Sequence, residues 1–337
     1  MLAVGYQKSL PIETPDALVD IELLKPSTFG HDLLVEIKAV SVNPVDTKVR
    51  MRAEPEPGDY KVLGWDAAGV VVAAGENATR FKVGDEVFYA GDLSRPGTNS
   101  EFHLVDERIV GKKPASLSFA EAAALPLTAI TAWETLFDRL KVANPVSGAA
   151  PALLIIGGAG GVGSIAVQLA RQLTDLTVIA TASRPETRDW VKALGAHHVI
   201  DHSIPLAREI DKLGVGAPGL VFSTTNTEMH LSNVAELIAP QGRFALIDDP
   251  KELDISILKR KSISVHWEFM FTRSMFQTAD MEEQHSLLTR VSELVDTGTL
   301  KTTLGDTFGK INAENLKKAH AFIETGKARG KIVLEGF

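Results

Sequence analysis

Four consecutive aliphatic residues, Leu153, Leu154, Ile155 and Ile156, run directly into Gly157-Gly158-Ala159-Gly160-Gly161-Val162-Gly163, and Ser164 to Leu173 then carry apolar residues at helical spacing. A buried strand, a glycine-rich turn and an amphipathic helix in immediate succession constrain this chain more than any other segment. Gly158, Gly160 and Gly163 stand in G-x-G-x-x-G register. Without side chains at Gly158 and Gly160 the turn is tight and its backbone can approach a pyrophosphate, and a bare Gly163 lets the helix pack close to the sheet. The helix N-terminus at Gly161, Val162 and Gly163 offers unpaired N–H groups and the positive end of the peptide dipoles to the phosphates. A tight strand-to-helix turn would use the same glycines for packing alone. The surrounding strand and helix favour dinucleotide binding.

The segments TVIATAS, ETRDWVKALGA, HHVIDH and GLVFSTT continue an alternation of buried strands and amphipathic helices, the pattern of an α/β domain with a doubly wound parallel sheet. Residues 1–125 have a different texture, with short strands such as LLVEIKAVSV, AAGVVVAAG and VGDEVFYAG bounded by Gly, Pro and Asp. The chain of 337 residues is 45% hydrophobic and is long enough for two cores. A net charge of -8 argues against a polyanion-binding surface, so no nucleic-acid partner is expected. There is no cysteine, which excludes disulfides and thiolate-ligated metals. No apolar run approaches the length of a membrane span, and a soluble cytoplasmic protein is expected.

Which dinucleotide is bound depends on the end of the strand TVIATA, where an NAD enzyme typically places a carboxylate for the ribose hydroxyls. This chain has Ser183 and Arg184 there. A hydroxyl and a guanidinium suit the 2′-phosphate of NADPH, since Arg presents paired donors to phosphate oxygens. Glu186 follows closely and is the one residue that argues the other way.

With these motifs in place, the chain resembles the medium-chain dehydrogenase/reductase superfamily, and within it the zeta-crystallin-like quinone-oxidoreductase branch, whose members often carry a zinc-type alcohol dehydrogenase-like label. AVSVNPVDTKVR, LGWDAAGVV, VGDEVF, AALPLTAITAWETL, GGAGGVGSIAVQLAR, LGAHHVID and GKIVLEG follow the family's order over nearly the whole chain. The resemblance implies a GroES-like β-barrel catalytic domain from residues 1–125 and 274–337, a Rossmann NADPH-binding domain from 126–273, and an active site in the cleft between them. Where zinc-dependent relatives have a cysteine and a histidine, this chain has Asn43 and Trp65, and the lobe for a structural zinc is missing. No metal is therefore expected. A quinone or another α,β-unsaturated carbonyl is the expected hydride acceptor, because alcohol oxidation needs a Lewis acid.

The resemblance also assigns site residues. Asn43 is implied as a donor to the substrate oxygen and Asp46 as a residue orienting its neighbours, against the alternative that an Asn-Pro turn caps its own backbone. Thr128 is implied as a hydroxyl near the nicotinamide, against ordinary bonding to its own helix. His202, Thr224 and Thr225 are implied as cofactor contacts. Lys331, with Lys327 and Arg329, forms a basic cluster that could face the adenosine phosphate, against the commoner alternative of a solvated charge run. Relatives pair Rossmann sheets across a two-fold axis, and the apolar SISVHWEF is the candidate edge for a homodimer. A zinc-type alcohol dehydrogenase and a cofactor-binding protein without turnover remain the competing functions.

Overall fold

The computed structural model describes all 337 residues, Met1–Phe337. The chain forms two compact units, one spanning Thr131–Met270 and one built from Met1–Ile130 together with Phe271–Phe337. These divisions fall a few residues from the 125/126 and 273/274 boundaries given by texture and resemblance.

In the unit Thr131–Met270, six parallel strands are β1 (Ala150–Ile156), β2 (Thr177–Thr181), β3 (His198–Ile200), β4 (Pro218–Ser223), β5 (Arg243–Leu246) and β6 (Ser264–Trp267). Their order is β3-β2-β1-β4-β5-β6. The sheet thus grows first to one side of β1 and then, from β4, to the other, and the C-terminal ends of β1 and β4 mark the switch point where such sheets open a crevice. Helices α1 (Gly161–Leu173), α2 (Pro185–Ala193), α3 (Leu206–Leu213) and α4 (Thr227–Leu237) connect the strands. Leu153–Ile156 are buried on both faces, which is why this strand reads as an unbroken apolar run rather than an alternating one. Leu154, Ile156, Val221, Phe244 and Leu246 pack with Leu206, Ile210, Leu231 and Val234 in one core. Each fully buried aliphatic side chain there contributes about 1.5–3 kcal/mol.

In the other unit, the central strand Asp32–Val42 pairs antiparallel with Ala67–Ala74, with Phe102–Asp106 and with the closing strand Lys331–Glu335. The register Ile332↔Val42 and Leu334↔Val40 brings the end of the chain beside the end of the central strand. There the backbone passes Asn43 and enters the helix Pro44–Arg52, with Pro44 in the first turn, where its missing N–H costs nothing. A smaller sheet holds Val19–Glu22, Leu2–Tyr6 and Lys61–Val62. No helix in the structure is long and apolar enough to cross a membrane.

Candidate cofactor site and a buried ionic cluster

The glycines of the turn have separable roles. A Cβ on Gly163 would lie 2.2 Å from the Gly157 carbonyl oxygen and 2.7 Å from Gly158 Cα. One on Gly158 would lie 2.8 Å from Ala180 Cβ, and Gly157 has φ +85° with Thr224 Oγ1 at 2.3 Å from its virtual Cβ. These three positions are glycine because the chain packs on itself. At Gly160 a Cβ would meet only the Gly157 oxygen, at 3.7 Å. The space over Gly160 is open, as the close approach of a pyrophosphate requires. Ser164 N–H donates to the Gly160 oxygen at 2.9 Å, the first bond of α1, so the amides of Gly161, Val162 and Gly163 have no helical carbonyl to meet.

Around this cradle the strand ends supply polar groups. Gly157 N–H donates to Thr181 Oγ1 at 3.0 Å, and Thr181 Oγ1 lies 3.0 Å from His202 Nδ1. Thr224 Oγ1 donates to the Ile156 oxygen at 2.9 Å, while Thr225 is exposed. Ser183 is exposed, and Arg184 caps α2 with its Nε 3.2 Å from Glu186 Oε1. The carboxylate that argued against NADPH is thus beside the guanidinium. Burial lowers the His202 imidazole below its ordinary range, and Asp201 opposes this. Thr181 was missed in the sequence because a threonine closing a strand carries no pattern of its own.

Lys331 does not belong to this rim. It is 3% exposed in the other unit, and its ammonium donates to the Val42 oxygen at 3.1 Å and to Asn43 Oδ1, and pairs with Asp66 Oδ2 at 3.1 Å. The expected phosphate contact is corrected for a physical reason: pairing of the last strand with the central strand turns this side chain inward, and its three N–H donors meet three acceptors. Lys327 and Arg329 are exposed.

Asn43 is corrected with it. Its amide nitrogen donates to Asp66 Oδ2 at 3.1 Å and to the Ser41 oxygen at 3.4 Å, and the residue is 1% exposed. Both donors implied for a substrate oxygen are therefore spent within the chain. Asp46 Oδ2 accepts from Asn43 N–H at 2.7 Å, closing the capping box at the start of the helix Pro44–Arg52. Its Oδ1 is buried without a hydrogen-bond partner. Burial pushes the Asp46 carboxyl up to about 7, with the Asn43 amide and the Lys331 ammonium pulling the other way. Burial also raises Asp66 and lowers Lys331, each opposed by the other's charge. Asp66 Oδ1 accepts from Leu127 N–H at 3.0 Å, and Thr128 donates to the Leu125 oxygen at 3.0 Å, the ordinary bond of a helix hydroxyl.

Two family profiles match the chain, an alcohol dehydrogenase GroES-like domain over residues 30–131 and a zinc-binding dehydrogenase domain over 194–334. A zinc-type alcohol dehydrogenase-like protein of Staphylococcus aureus is 40% identical over 337 residues, covering 99% of both chains. The chain belongs to the medium-chain dehydrogenase/reductase superfamily. The 2-methylene-furan-3-one reductase of Solanum lycopersicum is 30% identical over 98% of this chain and 76% of its own length. A crystal structure from Rhizobium etli, provisionally assigned as a zinc-dependent alcohol dehydrogenase, is 66% identical with a TM-score of 0.99, covering 100% of this chain and 98% of its own. Members of this superfamily are nicotinamide-cofactor oxidoreductases, and the two units are its GroES-like and Rossmann domains.

The zinc in the family's description does not fit these residues. Asn43 Oδ1 takes an ammonium, and the Trp65 indole is 1% exposed, donates to the Asp92 oxygen at 3.2 Å and packs edge-on against Phe271. No group of three His, Cys, Asp or Glu side chains is placed to hold a metal. Neither an amide facing a lysine nor an indole replaces a thiolate or imidazole ligand.

Proposed function

We propose that this medium-chain dehydrogenase/reductase is a cytoplasmic NADPH-dependent reductase that passes a hydride to a quinone or another α,β-unsaturated carbonyl without zinc. The observation that carries the reading is that, of the two residues standing where zinc-dependent relatives have ligands, Asn43 faces the Lys331 ammonium and Trp65 is buried with its indole donating to the Asp92 oxygen. The bound nicotinamide supplies the hydride. In this reading the amides of Gly161, Val162 and Gly163 hold the pyrophosphate, and Ser183 and Arg184 take the 2′-phosphate. A conjugated acceptor spreads the incoming charge onto an oxygen that hydrogen bonds alone can stabilise. The enone named in the tomato relative's activity is of this class.

The test is NADPH oxidation against a panel of quinones and enones, repeated after exhaustive chelation and with NADH. Activity is expected with NADPH and unchanged by chelation. A charge-assisted phosphate contact contributes about one to two decades in affinity, so Arg184→Ala should lower kcat/KM for NADPH about ten- to a hundredfold and spare NADH. Equal losses for both cofactors, or a wild type that prefers NADH, would remove the NADPH assignment. Loss on chelation with recovery on adding zinc would restore the metal enzyme, and tight NADPH binding without turnover would leave a cofactor-binding protein.

We also infer a homodimer through β6. This strand is the edge of its sheet, and Trp267 and Phe269 beside it are 55% and 48% exposed. An apolar unpaired edge is stabilised when a second copy extends the sheet. Light scattering should give twice the chain mass at micromolar concentration, and Trp267→Lys should give monomers; a monomeric wild type would refute it.

A further inference from the structure

The segment Glu134–Arg139 forms a single π-helical turn, with Leu140 N–H donating to the Thr135 oxygen at 2.8 Å. Thr135 Oγ1 donates to the Thr131 oxygen at 2.7 Å, so a side chain claims a carbonyl of the α ladder just where the ladder widens. In an α-helix residues five apart lie on different sides, whereas the wider turn brings Glu134 and Arg139 round to one side. Both meet Glu268, the first residue beyond β6. Glu268 N–H donates to the Leu246 oxygen at 3.1 Å, which continues the pairing of β6 with β5. Along this extended stretch Glu268 is buried, while Trp267 and Phe269 on either side of it are exposed.

Arg139 Nε donates to Glu268 Oε2 at 2.7 Å, and the buried Glu134 carboxyl lies within hydrogen-bonding reach of the Glu268 carboxyl. Glu268 Oε1 is buried and receives no donor from the rest of the chain. Two carboxylates can only accept, so a hydrogen bond between them requires that one of them carry a proton. With that proton in place the cluster balances as one carboxylate, one neutral acid and one guanidinium. We propose that Glu134 and Glu268 share a single proton, and that this proton latches the end of the edge strand β6 to the π turn, so that its loss to solvent releases the segment carrying Trp267 and Phe269. The proposal depends neither on the cofactor nor on the hydride acceptor. Burial pushes the Glu268 carboxyl up to about 8, reinforced by the Glu134 charge and opposed by Arg139. The other charged groups nearby are engaged elsewhere. Arg243 of β5 donates to the Leu140, Lys141 and Asn144 oxygens, and Lys141 and Asp138 are exposed. His266 of β6 is held below its ordinary range by burial and by Arg139, Arg243 and Lys141, and its Nε2 lies 3.2 Å from Ser264 Oγ. Asp248, beyond β5, accepts from Thr227 N–H at 2.9 Å. Once the shared proton leaves, a single guanidinium therefore faces two buried carboxylates, whose repulsion drives the strand end from the turn.

The sign of the pH dependence follows from the raised affinity for the proton. In the closed segment Glu268 keeps its proton up to about pH 8, whereas once released it titrates near the ordinary value of 4.5. The latch is therefore complete in acid, weakens as pH rises through neutrality and is lost by about pH 8. Amide hydrogen exchange of the full chain, with the intrinsic pH dependence of the chemical step divided out, reads this directly. Protection of residues 264–271 should fall about tenfold per pH unit between about pH 6 and 8 and level off above, as one linked proton requires. Protection of β1, the internal control, should stay nearly constant. In Glu268→Gln the amide donates to Glu134 as the protonated acid would, so the segment should stay protected with the pH slope gone; Glu134→Gln should lose the slope likewise. Infrared spectra of wild type carrying isotope-labelled glutamate give a reading that needs no variant to fold. A label-shifted carboxylic-acid C=O band should be present near pH 6 and vanish above about pH 8, with the aspartates excluded by the label. A wild-type slope that persists in both Gln variants, a slope shared equally by β1, or no glutamic-acid band near pH 6 would each overturn the latch.

Discussion

Lys331→Met is expected to lower the unfolding free energy by about 3–5 kcal/mol, because it strands the fully buried Asp66 carboxylate without its cation and leaves Asn43 Oδ1 without a donor. At about 2–4 °C per kcal/mol for domains of this size, the melting temperature should fall by roughly 10 °C. The double variant Lys331→Met/Asp66→Asn should recover most of the loss, since it removes both charges and leaves an acceptor for Leu127 N–H. A surface lysine facing a phosphate would behave otherwise, with a stability change within about 0.5 kcal/mol and a weaker NADPH complex. Thermal and urea unfolding of the three proteins decide between them. A single variant within about 1 kcal/mol of wild type would show that the clamp is not what holds these strands.

Gly163→Ala and Gly160→Ala should differ sharply, although both lie in one turn. The Gly163 Cβ would fall 2.2 Å from a backbone oxygen, so α1 must move off the turn. Overpacking of this kind costs about 1–3 kcal/mol, and an ångström of displacement at the cradle costs about a hundredfold in function. Gly160 has φ -71°, a conformation alanine adopts freely, with the open space above it. Gly160→Ala should therefore keep the wild-type melting temperature within about 2 °C and still lose most of its cofactor affinity. Melting curves and NADPH fluorescence titrations of both variants give the comparison. Unchanged affinity in Gly160→Ala would mean that no pyrophosphate approaches that backbone.

The features legible in the sequence are those fixed by neighbours along the chain. The apolar run Leu153–Ile156, the spacing of Gly158, Gly160 and Gly163, and the alternation of strand and helix each encode a local conformation, and the parallel sheet follows from them. The absence of cysteine, with Asn43 and Trp65 where zinc ligands would be, needed no coordinates to argue against a thiolate-bound metal. Among the aromatic residues between positions 267 and 276, Phe271 is buried whereas Trp267, Phe269 and Phe276 are exposed, a division that hydrophobicity alone does not make.

What the tertiary structure decided depends on partners far apart in sequence. Lys331 and Asn43 are 288 residues apart, and nothing near Lys331 in a charged C-terminal stretch shows that its strand pairs with Val42 and turns the ammonium inward. The direction of the Asn43 amide follows from that ammonium, because an amide places its oxygen toward a cation and its hydrogens toward a carboxylate. Thr181 likewise looks like any β-branched strand residue until parallel pairing sets it between Gly157 and His202. Local periodicity thus determined the scaffold and its cradle, whereas the destinations of buried polar groups were decided by strand register, since only register fixes which donors and acceptors must satisfy one another out of reach of water.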